Sequence, residues 1–289
     1  MKFFLKILFT LALSAMLVFP VACLKNGGAQ HSGGEQTSSS GSEQTSSSGS
    51  EQTSSSGNGQ AEPEDLWDVS SVDVSHINPR ARLIAFTFDD GPTSKTAELL
   101  NVFEDFNAKN PDFTAHATLF TVGSFINDGN SAVLSRAVSM GFELGNHTYT
   151  HTDLTTLTDE KIIDELKKTD NALKAFDGKA VHLVRPAGGH ADKRVLSCYR
   201  STFINWTSNL DTGDWNDATT ENDVYNSISK NLTDGGIVLM HQGYAKSINA
   251  VKRLLPELKL RGFQVVSVSE LIRYYKAEAA IGKLYNDFI

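Results

Sequence analysis

The sequence predicts an α/β fold in which parallel strands alternate with helices. From residue 82 onward, short apolar runs alternate with longer segments whose apolar residues recur every three or four positions. Glycines end several of these segments. Polar clusters directly follow the apolar runs, which is where parallel open sheets and barrels place their chemistry.

Each element is predicted from its own pattern, in chain order. Strands are predicted at 83–88, 117–122, 142–145, 182–184, 202–206, 237–240 and 263–268. Helices are predicted at 96–106, 132–140, 158–176, 224–232, 250–260 and 269–275. Residues 61–80 are predicted as an N-terminal arm packed on the domain or as an additional first strand, and residues 277–289 as a helical C-terminal tail.

The N-terminus is a predicted secretory signal rather than part of the fold. Lys2 and Lys6 flank a short basic region, and residues 7–22 are almost entirely apolar but short for a membrane span. Cys23 follows a small residue, as in a bacterial lipoprotein signal, although Pro20 stands where leucine is usual. We expect Cys23 to be acylated; ordinary cleavage and an uncleaved anchor are the alternatives.

Residues 23–60 are predicted to form a linker. The octapeptide Gly-Gly/Ser-Glu-Gln-Thr-Ser-Ser-Ser repeats across residues 33–56 and offers no apolar side chain to bury. A signal followed by such a tether predicts an exported domain working near a membrane. The catalytic domain is assigned to residues 81–276.

The composition argues against a nucleic-acid partner. The net charge is −8, and the sequence has no basic block. The two cysteines, Cys23 and Cys198, form neither a disulfide framework nor a metal-binding knuckle.

The first polar cluster is the pair Asp89 and Asp90, which closes the first predicted strand. Two carboxylates at a buried strand end are costly unless they are neutralised. A metal ion could neutralise one carboxylate, and an arginine could pair with the other.

The second cluster contains His147 and His151, which follow the third strand. Histidines at i and i+4 can face the same way on a helical turn and, with one carboxylate, form a metal site with open positions. Two surface histidines are the alternative interpretation of this pair alone.

Three more clusters follow the later strands. Arg185 precedes the glycines 188 and 189, and an arginine there can pair with a carboxylate. Asp214 and Trp215 lie in the segment 211–215, and His241 ends the very apolar strand that contains Leu239.

Taken together and in this order, the five clusters resemble those of the polysaccharide deacetylase family, the NodB-like domain of carbohydrate esterase family 4. The resemblance covers about residues 80–275. It implies an irregular (β/α) barrel of about seven parallel strands in a single catalytic domain, and a divalent metal cofactor, zinc first, with cobalt or another divalent ion as alternatives.

The resemblance also implies a role for each matching residue. Asp89 matches the catalytic base, Arg185 the residue that pairs with it, and His241 the general acid. Asp214 matches the carboxylate that tunes the acid. Metal ligands match Asp90, His147 and His151. Trp215 and Leu239 match the residues that line the acetyl pocket. Gly188 matches the residue whose backbone N–H donates to the oxyanion.

Three positions depart from the family pattern. Ala187 and Gly188 stand where a proline and an aromatic residue are usual, and Gln242 stands where an aspartate follows the acid histidine. Because no catalytic group is lost, these departures affect the expected substrate preference more than the expected activity.

The predicted function is therefore metal-dependent removal of N-acetyl groups from N-acetylglucosamine-type residues of a cell-wall polysaccharide, peptidoglycan or a chitin-like glycan. One alternative is O-deacetylation of acetylated xylan. Another is a surface carbohydrate-binding lipoprotein with a vestigial site. The expected partners are the acetylated glycan and, through the lipid anchor, the outer face of a membrane; a monomer is expected.

Overall fold

The chain is described by a computed structural model for residues 67–288. The predicted signal 1–22, the linker 23–60, Cys23 and the first part of the arm lie outside these residues. From Trp67 to Arg80 the arm forms turns rather than a strand, and its Trp67, Val69, Val74 and Ile77 pack on the barrel. Among the described helices, none is long and apolar enough to cross a membrane.

Strand β1 (Arg82–Gly91) is the centre of a parallel sheet. It pairs with β2 (Thr118–Thr121), β5 (Gly236–His241) and β6 (Phe263–Val266), and β2 pairs with β3 (Glu143–Asn146). The predicted α/β fold with parallel strands is confirmed. The helices are α1 Thr96–Lys109, α2 Ser131–Ser139, α3 Asp159–Asp177, α4 Lys193–Cys198, α5 Glu221–Lys230, α6 Ala245–Leu260 and α7 Val268–Tyr275.

The ring closes through single bridges rather than through continuous strands. Asn146 at the end of β3 pairs with Val184, which pairs in turn with Phe203 of β4 (Phe203–Ile204). On the other side, Asp211 pairs with Leu239 of β5, and Asp287 near the C-terminus pairs with Gly236 of β5. The predicted strand at 182–184 is therefore wrong as a strand, because Val184 alone makes the sheet pairing.

The C-terminal tail also differs from its prediction. Instead of a helix, residues Leu284–Tyr285 form β7, which extends β4 on its other side. Phe288 is 6% exposed and packs in the same cluster as Leu83 and Val266. The physical reason is that β4 has an open edge, which the tail covers with backbone hydrogen bonds.

Alternation along β1 decides which residues reach the barrel interior. Ile84, Phe86 and Phe88 belong to the apolar cluster formed with α1, α2 and α6. Leu83 and Ala85 belong to a different cluster, on the opposite face of the strand, which points into the barrel. Because side chains alternate along a strand, Asp89 continues the inner face at the carboxyl end of the barrel.

A buried ion-pair network lies behind β3. His182 contacts Asp170 through Nδ1 at 2.9 Å and Asp177 through Nε2 at 3.1 Å, and its side chain is fully buried. Burial alone would lower the pKa of His182, but the two carboxylates outweigh it and raise the pKa to about 9. Asp170 also accepts a hydrogen bond from Asn146, the residue before His147.

This network predicts a pH-dependent stability. Since the folded pKa of His182 lies above its ordinary value of 6.5, its contribution is complete below about pH 6.5 and is lost as the pH rises through about 9. Replacing His182 by asparagine should cost about 3–5 kcal/mol at pH 6, because it leaves buried carboxylates without their partner. Urea unfolding at pH 6 and pH 9 should show a smaller loss at the higher pH.

The exposed pair of His190 and Asp153 provides the matched control. Replacing His190 by asparagine should leave the free energy of unfolding nearly unchanged at both pH values. An equal loss for His182→Asn at pH 6 and pH 9 would contradict the assignment of a charged His182.

Candidate functional site

The carboxyl ends of β1 and β5 bring the first and last polar clusters together. Asp89 lies beside His241 in the parallel register of the two strands. Asp90 follows with a left-handed backbone (φ 63°), an uncommon conformation for a residue other than glycine. This conformation turns Asp90 away from the regular strand alternation, so that both carboxylates reach the same cleft.

His147 and His151 come together without the helical turn predicted from their spacing. The segment between them is a loop in which Thr148 and His151 have left-handed backbones (φ 66° and 58°). Glu165 of α3 holds this loop by accepting hydrogen bonds from the backbone N–H groups of Tyr149 and Thr150. The two imidazole ring centroids are 4.9 Å apart.

Asp90, His147 and His151 form a group that fits a divalent metal. The Nε2 atoms of His147 and His151 lie 3.4 and 3.2 Å from Asp90 Oδ1. Asp90 Oδ1 is buried and accepts no hydrogen bond from the described part of the chain. A buried carboxylate oxygen facing two imidazole nitrogens is the donor set expected for zinc and similar ions.

The surrounding backbone orients His147 for this task. Its Nδ1 lies 2.8 Å from the carbonyl oxygen of Arg185, which can only accept a hydrogen bond. The proton therefore resides on Nδ1, and the lone pair of Nε2 points toward Asp90. Ligand histidines in metal sites are commonly oriented in this way.

Asp89 is held through Oδ1 by Arg185, and its Oδ2 lies 3.6 Å from His147 Nε2. Arg185 Nη1 donates to Asp89 Oδ1 at 2.8 Å and to Thr87 Oγ1 at 2.6 Å. Its other nitrogens donate to the backbone carbonyls of Ile204 and Asn205, and the guanidinium lies 4.1 Å from the ring of Phe120. A fully buried arginine with all these contacts fixes one oxygen of Asp89 and leaves Oδ2 directed toward the cleft.

His241 is clamped by Asp214, which is completely buried. Asp214 Oδ1 lies 2.7 Å from His241 Nδ1, and Oδ2 accepts hydrogen bonds from the His241 backbone and from Ser247. Burial alone would lower the pKa of His241, but the hydrogen bond to Asp214 and the nearby Asp89 and Asp90 raise it to about 9. The Nε2 atom faces the cleft, 4.0 Å from Asp90 Oδ2.

The cleft has a volume of about 320 Å³ and collects most of the predicted site residues. Asp89, Asp90, His147, His151 and His241 line it. The predicted substrate contacts Gly188, Trp215 and Leu239 line it as well. Arg185 and Asp214 lie behind the wall, where they contact Asp89 and His241. The structure therefore brings all ten predicted residues into one region.

Three further residues of the cleft wall had no predicted role. Asp211, Gly189 and Trp206 line the cleft, and only Trp206 lies outside the predicted polar clusters. Trp206 packs over Gly189, where a side chain would lie 2.8 Å from the indole. Its position at the end of a predicted strand was the signal that could have identified it, since the other strand ends carry site residues.

Gln242, one of the departures from the family pattern, supports the carboxyl end of β1 through side-chain hydrogen bonds. It is completely buried, and its side chain accepts a hydrogen bond from Thr96 and donates one to the carbonyl of Phe88. A Cβ atom at Gly91 would lie 2.0 Å from Gln242 Oε1. Gln242 and Gly91 thus fit together directly beneath Asp89 and Asp90, and Gln242 does not line the cleft.

The arrangement can perform hydrolysis at a carbonyl. It combines a metal-ligand group, a carboxylate able to accept a proton and an imidazole able to donate one, around a cleft of small-ligand size. The two proton-transfer groups sit on adjacent strands and have separate partners, Arg185 and Asp214. Acyl groups, such as acetyl, are among the substrates that this combination suits.

Comparisons with known proteins place this geometry among related chains. The sequence model of a family described as polysaccharide deacetylase matches residues 76–204. A peptidoglycan-N-acetylglucosamine deacetylase from Bacillus cereus is 32% identical over 67% of this chain and 89% of its own length. A bifunctional xylanase/deacetylase from Pseudobutyrivibrio xylanivorans is 33% identical over 66% of this chain.

The similarity to the P. xylanivorans protein concerns only part of that protein, since this chain spans 30% of its length. Among solved structures, the Xyl-CE4 domain of a multidomain xylanase from the hindgut metagenome of Trinervitermes trinervoides superimposes with a TM-score of 0.66 and 30% identity. The superposition covers 72% of this chain and 98% of that domain.

Proposed function

The chain belongs to the polysaccharide deacetylase family, and we propose that it removes N-acetyl groups from N-acetylglucosamine-type residues of a cell-wall polysaccharide. Peptidoglycan is the leading substrate, because a relative covered over 89% of its length is a peptidoglycan-N-acetylglucosamine deacetylase. A chitin-like glycan offers the same N-acetyl group.

One observation carries this proposal. Asp89 and His241 face each other across adjacent strands beside the group formed by Asp90, His147 and His151. Amide hydrolysis needs a base for the attacking water and an acid for the departing amine, because an amine anion is a poor leaving group. The site supplies both groups and holds each by a buried partner.

Asp90, His147 and His151 would hold the metal, and zinc is the ion proposed. When bound, the ion supplies Lewis-acid polarisation of the acetyl carbonyl and of water. Two imidazoles and one carboxylate suit zinc, and cobalt is an alternative with the same ligand preferences.

The remaining steps belong to the side chains around that group. Asp89 accepts the proton of the attacking water through the oxygen that Arg185 leaves free. The backbone N–H of Gly188 stabilises the developing oxyanion, and Leu239 and Trp215 form the wall against the acetyl methyl. His241 donates a proton to the leaving nitrogen from Nε2, while Asp214 on Nδ1 keeps the ring oriented.

This assignment predicts the alkaline limb of the pH–rate profile. Activity requires protonated His241, so the rate should fall as the pH rises through its pKa, about 9 in the unaltered chain. Asp214→Asn removes the hydrogen-bonded charge that raises this pKa. The alkaline limb should therefore move to lower pH by about one unit or more.

The measurement is kcat/KM for acetate release between pH 5 and pH 10. The matched control is Asp211→Asn. Asp211 lines the cleft, but its side chain accepts its hydrogen bond from Gly213 and not from His241, so the alkaline limb should stay in place. If Asp214→Asn lowered kcat/KM equally at every pH and left the alkaline limb in place, the proposal that Asp214 raises the pKa of His241 would be contradicted.

O-deacetylation of acetylated xylan is the second candidate, and the comparisons give it specific support. The relative from P. xylanivorans is a bifunctional xylanase/deacetylase, and the T. trinervoides domain belongs to a multidomain xylanase. At Gly188 the aromatic residue usual in the family is absent, and a groove widened on that side would also suit a different chain of sugars. The raised pKa of His241 favours the amide, since an alkoxide leaves without full protonation more readily than an amine.

An acetate-release screen distinguishes these candidates. N-acetylglucosamine oligomers, peptidoglycan and acetylated xylan should be offered to the enzyme before and after chelation. Acetate should come from the N-acetylated substrates, stop after chelation and return with zinc or cobalt. Release from acetylated xylan alone would replace the first proposal by the second, and release from none would favour a carbohydrate-binding protein with a vestigial site.

We also propose that the chain is exported and tethered by a lipid on Cys23 to the outer face of a membrane. The support is the apolar segment before Cys23 and the polar linker after it. In a bacterial host, Cys23→Ala should move the protein from the membrane fraction to the soluble fraction. An unchanged distribution would contradict acylation as the anchor.

A further inference from the structure

A second cluster of histidine and carboxylate side chains lies away from the cleft. His76 comes from the arm before β1, His116 lies just before β2, and Glu270 occupies the first turn of α7. These residues gather at the amino end of β2, whereas the residues of the cleft follow the carboxyl ends of the strands. None of them lines the cleft or takes part in the mechanism above.

The donor atoms of this cluster converge on one carboxylate oxygen. Glu270 Oε1 lies 3.4 Å from His76 Nε2 and 2.6 Å from His116 Nδ1, and the two imidazole centroids are 4.3 Å apart. Ligands bound to zinc at about 2.0–2.1 Å in a tetrahedron are separated by about 3.3 Å. The His76 distance already has this value, and a small movement of the His116 ring would give it the same.

The imidazole of His76 has a ring nitrogen that no hydrogen bond within the described part of the chain satisfies. His76 Nε2 is buried and makes no hydrogen bond to the described residues. A buried imidazole nitrogen without a partner costs free energy that a bound cation would recover. The same situation occurs at Asp90 Oδ1, the buried oxygen of the group in the cleft.

Neighbouring contacts hold the ligands in place. Glu270 Oε2 accepts a hydrogen bond from the backbone N–H of Ser267 as part of a capping box, which leaves Oε1 for the imidazoles. The His76 carbonyl accepts a hydrogen bond from Gln264, and the His116 backbone N–H donates to Val265. Gly141, with φ 85°, leaves room for the His116 ring, since a Cβ atom there would lie 2.6 Å from Nε2.

From this geometry we propose that His76, His116 and Glu270 bind a second divalent transition-metal ion, with zinc as the preferred species and water in the remaining position. Two imidazoles and one carboxylate exclude magnesium and calcium as preferred ions, because those prefer oxygen ligands. The ion joins the arm, the start of β2 and α7, three segments that are distant in sequence.

The consequence is structural. A ligand that binds the folded chain and not the unfolded chain stabilises the fold by mass action. Zinc bound at this site therefore stabilises the packing of residues 67–80 on the barrel. It raises the midpoint temperature of thermal unfolding, independently of acetate release. The inference does not depend on the substrate or on the proposed reaction.

Zinc stoichiometry of the full chain tests the inference. Purified protein is stripped with a chelator, titrated with zinc alone and analysed for bound metal after gel filtration. Two equivalents are expected for the unaltered chain and one for His76→Phe, which keeps a ring against His116. Glu270→Gln should also bind one equivalent, because glutamine can maintain the capping box while it removes the anionic ligand.

Thermal unfolding gives a readout that does not involve catalysis. In a chain that carries His147→Ala and His151→Ala, zinc should still raise the midpoint, and adding His76→Phe should remove this rise. Binding of a single equivalent by the unaltered chain, or of two by His76→Phe, would overturn the proposal. Both outcomes would leave the proposed deacetylation untouched, since neither measures acetate.

Discussion

Replacing His147 and His151 together by alanine should reduce acetate release by more than about 10²-fold, because Lewis-acid stabilisation is worth several kcal/mol. The two rings supply two of the three ligand atoms of this group, and Asp90 Oδ1 is the third. The variant should bind one equivalent of zinc fewer than the unaltered chain. Both quantities can be measured on the same preparation, by an acetate assay and by metal analysis.

The fold should tolerate this double change. The loop that carries the histidines is held by Glu165 through the backbone of Tyr149 and Thr150, which the substitutions leave intact. Far-UV circular dichroism should therefore be unchanged. Full zinc content in the variant would show that the metal ligands are other residues.

Replacing His241 by asparagine should lower kcat/KM for an N-acetylated oligosaccharide by about 10²–10⁴-fold, the usual range for a lost general acid. Zinc content should remain that of the unaltered chain. The alkaline limb of the pH–rate profile should disappear, because the group that loses its proton there is gone.

The leaving group gives a sharper readout of the same role. The phenolate of 4-nitrophenyl acetate departs without a proton, so this ester should be hydrolysed with a much smaller loss in His241→Asn. Tyr244→Phe is the matched control, since Tyr244 stacks edge-on against His241 and the variant keeps the ring. Equal losses for the amide and the aryl ester would contradict the general-acid assignment.

Much of the fold and most of the site could be predicted because both follow from local patterns. The apolar run that ends in Asp89 and Asp90 predicts a buried strand with chemistry at its end, and β1 has that form. The same logic places His241 at the end of β5, beside Asp89. Parallel strands bring their carboxyl ends to one side, so residues distant in sequence meet there.

Features that depend on long-range pairing could not be predicted. The segment around His182 is apolar enough for a strand, yet only Val184 pairs, because this part of the barrel closes through single bridges. The helical turn expected for His147 and His151 is replaced by left-handed residues that α3 stabilises from outside. The C-terminal strand exists because β4 has a free edge, which no local pattern reveals.

The cluster of His76, His116 and Glu270 also depends on long-range contacts and could not be predicted from the sequence. Its members are 40 and 154 residues apart along the chain, by subtraction of their numbers, and His76 and His116 precede strands instead of following them. The arm must fold back over α7 before they meet. Sequence patterns therefore predict the site in the cleft, where strand order places the ligands, and miss a site that depends on docking of the arm.

The central claim is that the two adjacent carboxylates have different tasks, with Asp90 as metal ligand and Asp89 as base. Its most direct test measures zinc content and acetate release for Asp89→Asn and Asp90→Asn side by side. Asp89→Asn should keep the zinc content of the unaltered chain and lose about 10²–10⁴-fold in kcat/KM. Asp90→Asn should lose one equivalent of zinc together with activity. If Asp89→Asn retained full activity, or if both variants lost the same zinc, the division of tasks would be contradicted.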